Sequence, residues 1–223
     1  MSHLIADPAA LAVGFVVGAG GGLFAHRAAV RAVADASEPK TESNDSRIPR
    51  IALLASLGAV AGLLVGARFG MGSTLPAYLY LVAITPVLGV TDAVARRLPN
   101  YLVLPSYPIA AALIGFSAWR EADAQAFLRS LVAGGAVFAF LLLIAFCAPS
   151  GSLGWGDVKL GGILGLFLGY LGWVTTWLGM MAAFVLAGIY VLARMLTYRG
   201  QRARLVPLGP ALLLGALVAV VVS

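Results

Sequence analysis

Two aspartates stand against long apolar runs: Asp92 in Thr91-Asp92-Ala93, and Asp157 in Gly154-Trp155-Gly156-Asp157-Val158-Lys159-Leu160. The chain has nine acidic residues, and the other seven (Asp7, Asp35, Glu38, Glu42, Asp45, Glu121 and Asp123) fall in polar tails and loops. A carboxylate in or near hydrocarbon is costly unless it is paired, hydrated or neutralised, so its presence there points to function. Two of them on different helices suggest a catalytic dyad. Facing carboxylates can share one proton and activate a water for peptide hydrolysis, one as general base and the other as general acid. Asp157 opens a helix and Asp92 lies near the end of one. The dipole ends therefore lean towards Asp157 as the base and Asp92 as the acid, with Arg96 pulling the other way. Each also has a plain structural alternative. Asp157 suits an N-cap, and Asp92 suits an ion pair with Arg96 four residues on.

The elements that must carry these groups are membrane helices. Hydrophobic residues make up 61% of the chain, charged residues 11%, and the mean hydropathy is +0.97. Soluble domains carry about 25% charge. Apolar runs long enough to span a bilayer fall at about 8–25, 51–69, 75–94, 101–118, 128–147, 158–172, 174–193 and 207–222. Gly172 and Trp173 leave almost no loop between the sixth and seventh. The fold expected is an all-α polytopic membrane helix bundle of about eight transmembrane helices. Of the 15 Lys and Arg residues, all but Arg68, Arg120 and Arg129 fall on one side if the amino terminus is outside. The positive-inside bias selects that orientation, and it puts Asp92 and Asp157 on the same, cytoplasmic side. The net charge of +6 is thus a topology signal, and no nucleic-acid partner is expected.

Residues 1–27 read as the first transmembrane helix, 28–50 as a flexible polar cytoplasmic loop, and 51–223 as a membrane-embedded catalytic domain. The first run is no cleavable signal, because Asp7 precedes it and Arg27 and Arg31 follow it. Cys147 is the only cysteine, and His3 and His26 are the only histidines. No metal site and no cofactor are expected. Cys147 reads as a small buried hydrophobe, and Trp155, Trp173, Trp177 and Tyr170 as interfacial belt aromatics. Glycines at four-residue spacing (Gly58, Gly62, Gly66, Gly70; Gly161, Gly165, Gly169) read as close helix packing. The Gly18–Gly22 run lies in a spanning segment and has none of the context of a phosphate loop. Pro86 lies within the third helix, and Pro99 should end it by Leu98.

The segment Asp92-Ala93-Val94-Ala95-Arg96-Arg97-Leu98-Pro99-Asn100-Tyr101-Leu102 resembles the prepilin peptidase pattern of an aspartate, a basic pair and then I/L-P-N/D-x-L. Gly154-Trp155-Gly156-Asp157-Val158-Lys159-Leu160 is similar to that family's GxGDxKL motif at every defined position. Val206-Pro207-Leu208-Gly209-Pro210-Ala211 resembles its (I/V)-P-(F/L)-G-P segment. The resemblance implies a type IV leader peptidase, an intramembrane GxGD aspartyl endopeptidase in the plasma membrane that cuts the leader from prepilin-like or pseudopilin-like substrates at the cytoplasmic face. Asp92 and Asp157 take the catalytic positions. Gly154, Gly156, Lys159, Arg96, Arg97, Pro99, Asn100, Gly209 and Pro210 fall in the flanking motifs as binding or positioning residues. Bifunctional members also methylate the new amino terminus and carry a cytoplasmic domain with paired CxxC motifs between the first two helices. This chain has no such cysteines, so the short peptidase branch is implied. The alternative from the residues alone is a small proton-coupled transporter using the same two carboxylates. A noncatalytic assembly protein of a secretion system would keep the fold without needing both aspartates.

Overall fold

The structure, a computed structural model, describes residues 7–36, 51–95, 100–147, 154–197 and 208–223. Within them are eight helices and no strand: α1 (Pro8–Ala36), α2 (Ile51–Phe69), α3 (Leu75–Ala95), α4 (Asn100–Glu121), α5 (Ala124–Cys147), α6 (Trp155–Leu171), α7 (Trp173–Thr197) and α8 (Gly209–Val222). This is a polytopic membrane helix bundle. Five helices (α1, α3, α4, α5 and α7) are long and apolar enough to cross a membrane on their own account, whereas α2 and α8 are shorter apolar helices.

The bundle is organised around α6. From Asp157 to Tyr170 every residue of α6 but Lys159 is buried, against α5, α4, α7 and α8. Its 17 residues fall short of the roughly 20 that a lipid-exposed helix needs, but surrounding protein relieves it of that requirement. Glycines set the spacing. A Cβ on Gly165 would stand 2.9 Å from the Ala133 carbonyl oxygen, and one on Gly169 would strike the Ala133 side chain. Gly172 alone joins α6 to α7, with φ of +153°, a backbone state open to glycine.

A second glycine seam fuses α1 to α2. A Cβ on Gly14, Gly18 or Gly22 would run into the backbone of Gly62, Gly58 or Leu54, and the reverse holds for Gly58 and Gly62. The Gly18–Gly22 run is therefore helix-packing surface. Gly70 is not part of the seam: α2 stops at Phe69, and Gly70 turns the chain with φ of +54° and open space around it.

The end of the bundle remote from Asp92 and Asp157 is closed by a polar latch. Glu121 Oε1 accepts the hydroxyls of Ser73 and Thr74 at 2.6 Å, and Oε2 accepts Tyr170 Oη at 2.8 Å. Arg129 donates to the carbonyls of Gly169 (2.8 Å) and Tyr170 (2.6 Å). Those are last-turn carbonyls of α6, which have no intrahelical partner.

Four sequence expectations need correction here. α1 runs on to Ala36, well past its apolar stretch, because the Ala-rich segment from Ala25 favours helix whether or not lipid surrounds it. Residues 28–36 of the expected loop are therefore helical, and residues 37–50 lie outside the described residues. Tyr170 is a buried, hydrogen-bonded residue and not a belt aromatic, unlike the exposed Trp155, Trp173 and Trp177. Cys147 ends α5 and is exposed. Glu121, expected in a polar loop, closes α4 and holds three hydroxyls.

Candidate active site

Asp92 lies in the last turn of α3 and Asp157 in the first turn of α6. Both are buried, at 6% and 7% exposure, so neither is a solvated interfacial charge. The N-cap of α6 is Gly154, which makes no side-chain cap bond, and Asp157 sits three residues in. The N-cap reading of Asp157 is therefore wrong. The backbone N–H of Asp157 instead donates to the Gly154 carbonyl at 3.0 Å, closing the turn that buries its side chain.

A third helix end meets the pair. α8 starts at Gly209 with Pro210 in its first turn, where proline's missing N–H costs nothing. The Gly209 N–H, an orphan donor of that helix start, donates to Asp92 Oδ2 at 3.2 Å across 117 residues of sequence. A Cβ on Gly154 would stand 3.3 Å from Asp157 Oδ2, and the two aspartates lie near enough to act on each other by charge. Glycine is required at 209. A Cβ there would stand 2.5 Å from Asp92 Oδ2 and 3.0 Å from its Cγ. Among the described residues, Asp157 Oδ1 is a buried oxygen with no hydrogen-bond partner, an acceptor that none of them fills. Two carboxylates within reach of each other's charge can share one proton, which gives an acid and a base side by side.

Of the other sequence-predicted residues, Gly154 and Gly209 line the aspartates directly. Gly156 and Pro210 adjoin them in the first turns of α6 and α8. Lys159 Nζ donates to Asn100 Oδ1 at 2.9 Å, which ties the start of α4 to the start of α6 without entering the pair. Arg96, Arg97 and Pro99 lie outside the described residues, as does the proposed Asp92–Arg96 ion pair. Sequence reading missed Tyr107, whose hydroxyl donates to the Lys159 carbonyl at 2.7 Å and locks α4 against the first turns of α6. Its one signal was Gly162, where a Cβ would collide with that hydroxyl.

Residues 77–192, from α3 through most of α7, match the model of the type IV leader peptidase family. The chain is 28% identical over 170 residues to a Bacillus subtilis (strain 168) protein named prepilin leader peptidase/N-methyltransferase. That similarity covers 74% of this chain and 61% of the relative. No solved structure matches the chain.

Proposed function

Since the chain belongs to the type IV leader peptidase family, we propose that it is an aspartic endopeptidase. It removes the leader of prepilin-like membrane substrates at the cytoplasmic face of the plasma membrane, with Asp92 and Asp157 as its acid–base pair. The observation that carries this reading is the burial of two carboxylates, from α3 and α6, within reach of each other's charge beside the start of α8, whose Gly209 N–H holds Asp92 Oδ2 at 3.2 Å. Two purely structural acids would have no reason to be buried within reach of each other's charge.

Water held between the carboxylates attacks the scissile carbonyl carbon. The ionised carboxylate takes the water's proton as the C–O bond forms. The protonated partner gives its proton to the leaving nitrogen as the C–N bond breaks, and the pair ends with one proton, as it began. Asp157 Oδ1, without a partner among the described residues, is a natural acceptor for that water. The Gly209 N–H holds the Asp92 carboxylate in register. It also adds a dipole end on the Asp92 side that the sequence argument did not count. That weighs against assigning base and acid from α3 and α6 alone.

The product keeps an unmethylated amino terminus, because the segment between α1 and α2 has no cysteine with which to build a zinc site. The test is cleavage of a co-reconstituted prepilin-like substrate by purified protein in detergent, with no ion gradient. Asp92→Asn and Asp157→Asn should each lower the rate about a thousandfold, the scale of lost acid–base catalysis, with protein yield unchanged. Full activity in either variant, or a strict need for a proton gradient, would sink the reading.

A further inference from the structure

Beside the aspartates, α2 and α8 both pack on α3 while barely touching each other. The gap is a side-opening groove of about 450 Å³ with α3 as its floor. Thr85 supplies its only hydroxyl, and that hydroxyl is spent on the Leu81 carbonyl at 2.7 Å. No lining side chain therefore offers a free polar group. An extended peptide laid there would bury unpaired N–H and C=O groups, whereas an apolar helix satisfies its own backbone.

The groove is continuous with the acid pair. Val90, two residues before Asp92, and Pro210, which follows Gly209, both line its near end. Pro210 and Val222, both lining it, stand twelve residues apart on α8, about 18 Å at helical rise. That exceeds half of a hydrocarbon core roughly 30 Å thick. The volume suits the side chains along one face of a helix, not a whole helix, so the occupant must lie half in the groove and half in lipid.

We infer that this groove seats the apolar helix of the substrate, the segment that follows the scissile bond, and so threads that bond between Asp92 and Asp157. The inference rests on the leader-peptidase reading and adds the docking site. A leader cut at the mouth of the groove leaves its polar side in water, while the apolar side runs down α8 towards Val222.

Disulfide trapping in membranes tests it. In full-length protein carrying Cys147→Ala and Asp157→Asn, Leu214→Cys or Leu217→Cys is placed on the groove wall, and Val185→Cys on the exposed face of α7 serves as the comparison. The probe is a synthetic substrate with a basic leader, a glycine before the cut and a 20-residue apolar helix bearing one cysteine. Copper-phenanthroline oxidation should couple the groove cysteines to the probe about tenfold or more over Val185→Cys, as expected when docking raises local concentration. The preferred probe position should move further from the cut between Leu214→Cys and Leu217→Cys. Two wall positions guard against one variant misfolding, which is checked by its thermal unfolding in detergent. Equal coupling at the groove and α7, coupling indifferent to probe position, or protein-to-protein coupling alone would overturn the inference in favour of lipid or a second copy as the occupant. These outcomes count when Cys147→Ala protein with intact aspartates cuts the probe. If that protein does not cut it, the peptidase reading itself fails.

Discussion

Gly209→Ala isolates the role of the α8 start, because alanine changes one thing there. The added Cβ would stand 2.5 Å from Asp92 Oδ2, where ordinary contact begins at 3.4 Å, so the carboxylate or the helix must give way by about 0.9 Å. Asp92 is buried and cannot swing into water. Nor can α8 withdraw freely, since its Gly215 already sits so close to α7 that a Cβ there would meet the Ala183 nitrogen at 2.5 Å. The displacement therefore falls on the carboxylate and stretches the 3.2 Å bond from the Gly209 N–H beyond hydrogen-bond range. Misplacing a catalytic group by about 1 Å costs about a hundredfold in rate. Helix propensity works in the opposite direction, since alanine favours a helix over glycine by about 1 kcal/mol, so lost folding cannot explain lost activity. The assay is single-turnover cleavage of a prepilin-like substrate in detergent, with thermal unfolding measured on the same samples. Gly188→Ala, where a Cβ meets nothing within 4 Å, provides the matched glycine-to-alanine comparison and should cleave at the wild-type rate. A Gly209→Ala protein that unfolds normally and keeps a third or more of wild-type turnover would refute the claim that this N–H sets the position of Asp92.

Lys159→Gln keeps a donor for Asn100 Oδ1 on a shorter side chain that no longer spans their 2.9 Å contact. Turnover should fall only a few-fold, about 1 kcal/mol for a lost positioning bond, and a loss as large as that of the aspartate variants would put Lys159 inside the chemistry. Arg129→Met strips both donors from the last carbonyls of α6 and should destabilise the fold by about 2 kcal/mol, read as a lower unfolding temperature; an unchanged temperature would mean that the latch does not hold α6. Replacing Ser37–Ser46 by a flexible linker of similar length should leave cleavage intact. Mass spectrometry of the product after incubation with a methyl donor should show a free amino terminus, and a methylated one would refute the single-activity reading.

The two aspartates were legible in the sequence because carboxylates against apolar runs are expensive, and that expense shows in one dimension. The helices were legible for the same reason, down to the near-absent loop at Gly172. Hydropathy marks contact with lipid, not helix as such, so the Ala-rich continuation of α1 to Ala36, broken by His26, Arg27, Arg31 and Asp35, fell outside the apolar run. Lateral facing was equally hidden. Tyr170 and Trp173 lie three residues apart at one end of the bundle, yet Tyr170 is buried on Glu121 and Trp173 is exposed. Nothing in the sequence alone tells Glu121 that Ser73, Thr74 and Tyr170 will meet it, since these partners lie 47 to 49 residues away. The seam glycines were read correctly as packing, but which helix each would face was not encoded in the spacing.

The distribution of polar chemistry follows from the solvent. Within hydrocarbon each helix must satisfy its own backbone, so free N–H and C=O groups survive only at helix ends. Chemistry in such a protein has to be assembled from ends. At one end of this bundle the close of α3 contributes Asp92, the start of α6 contributes Asp157, and the start of α8 contributes the Gly209 N–H that holds Asp92. At the other, the close of α4 contributes Glu121, the start of α5 contributes Arg129, and the close of α6 offers the carbonyls they secure. α6 is engaged at both ends, and it is buried along nearly its whole length. Its axial position is therefore fixed by the latch at its close, by Tyr107 on the Lys159 carbonyl near its start, and by close packing along the glycine face between them. That makes α6 a rigid strut delivering Asp157 to Asp92. Asp92 comes from α3, the most buried of the five longer spanning helices.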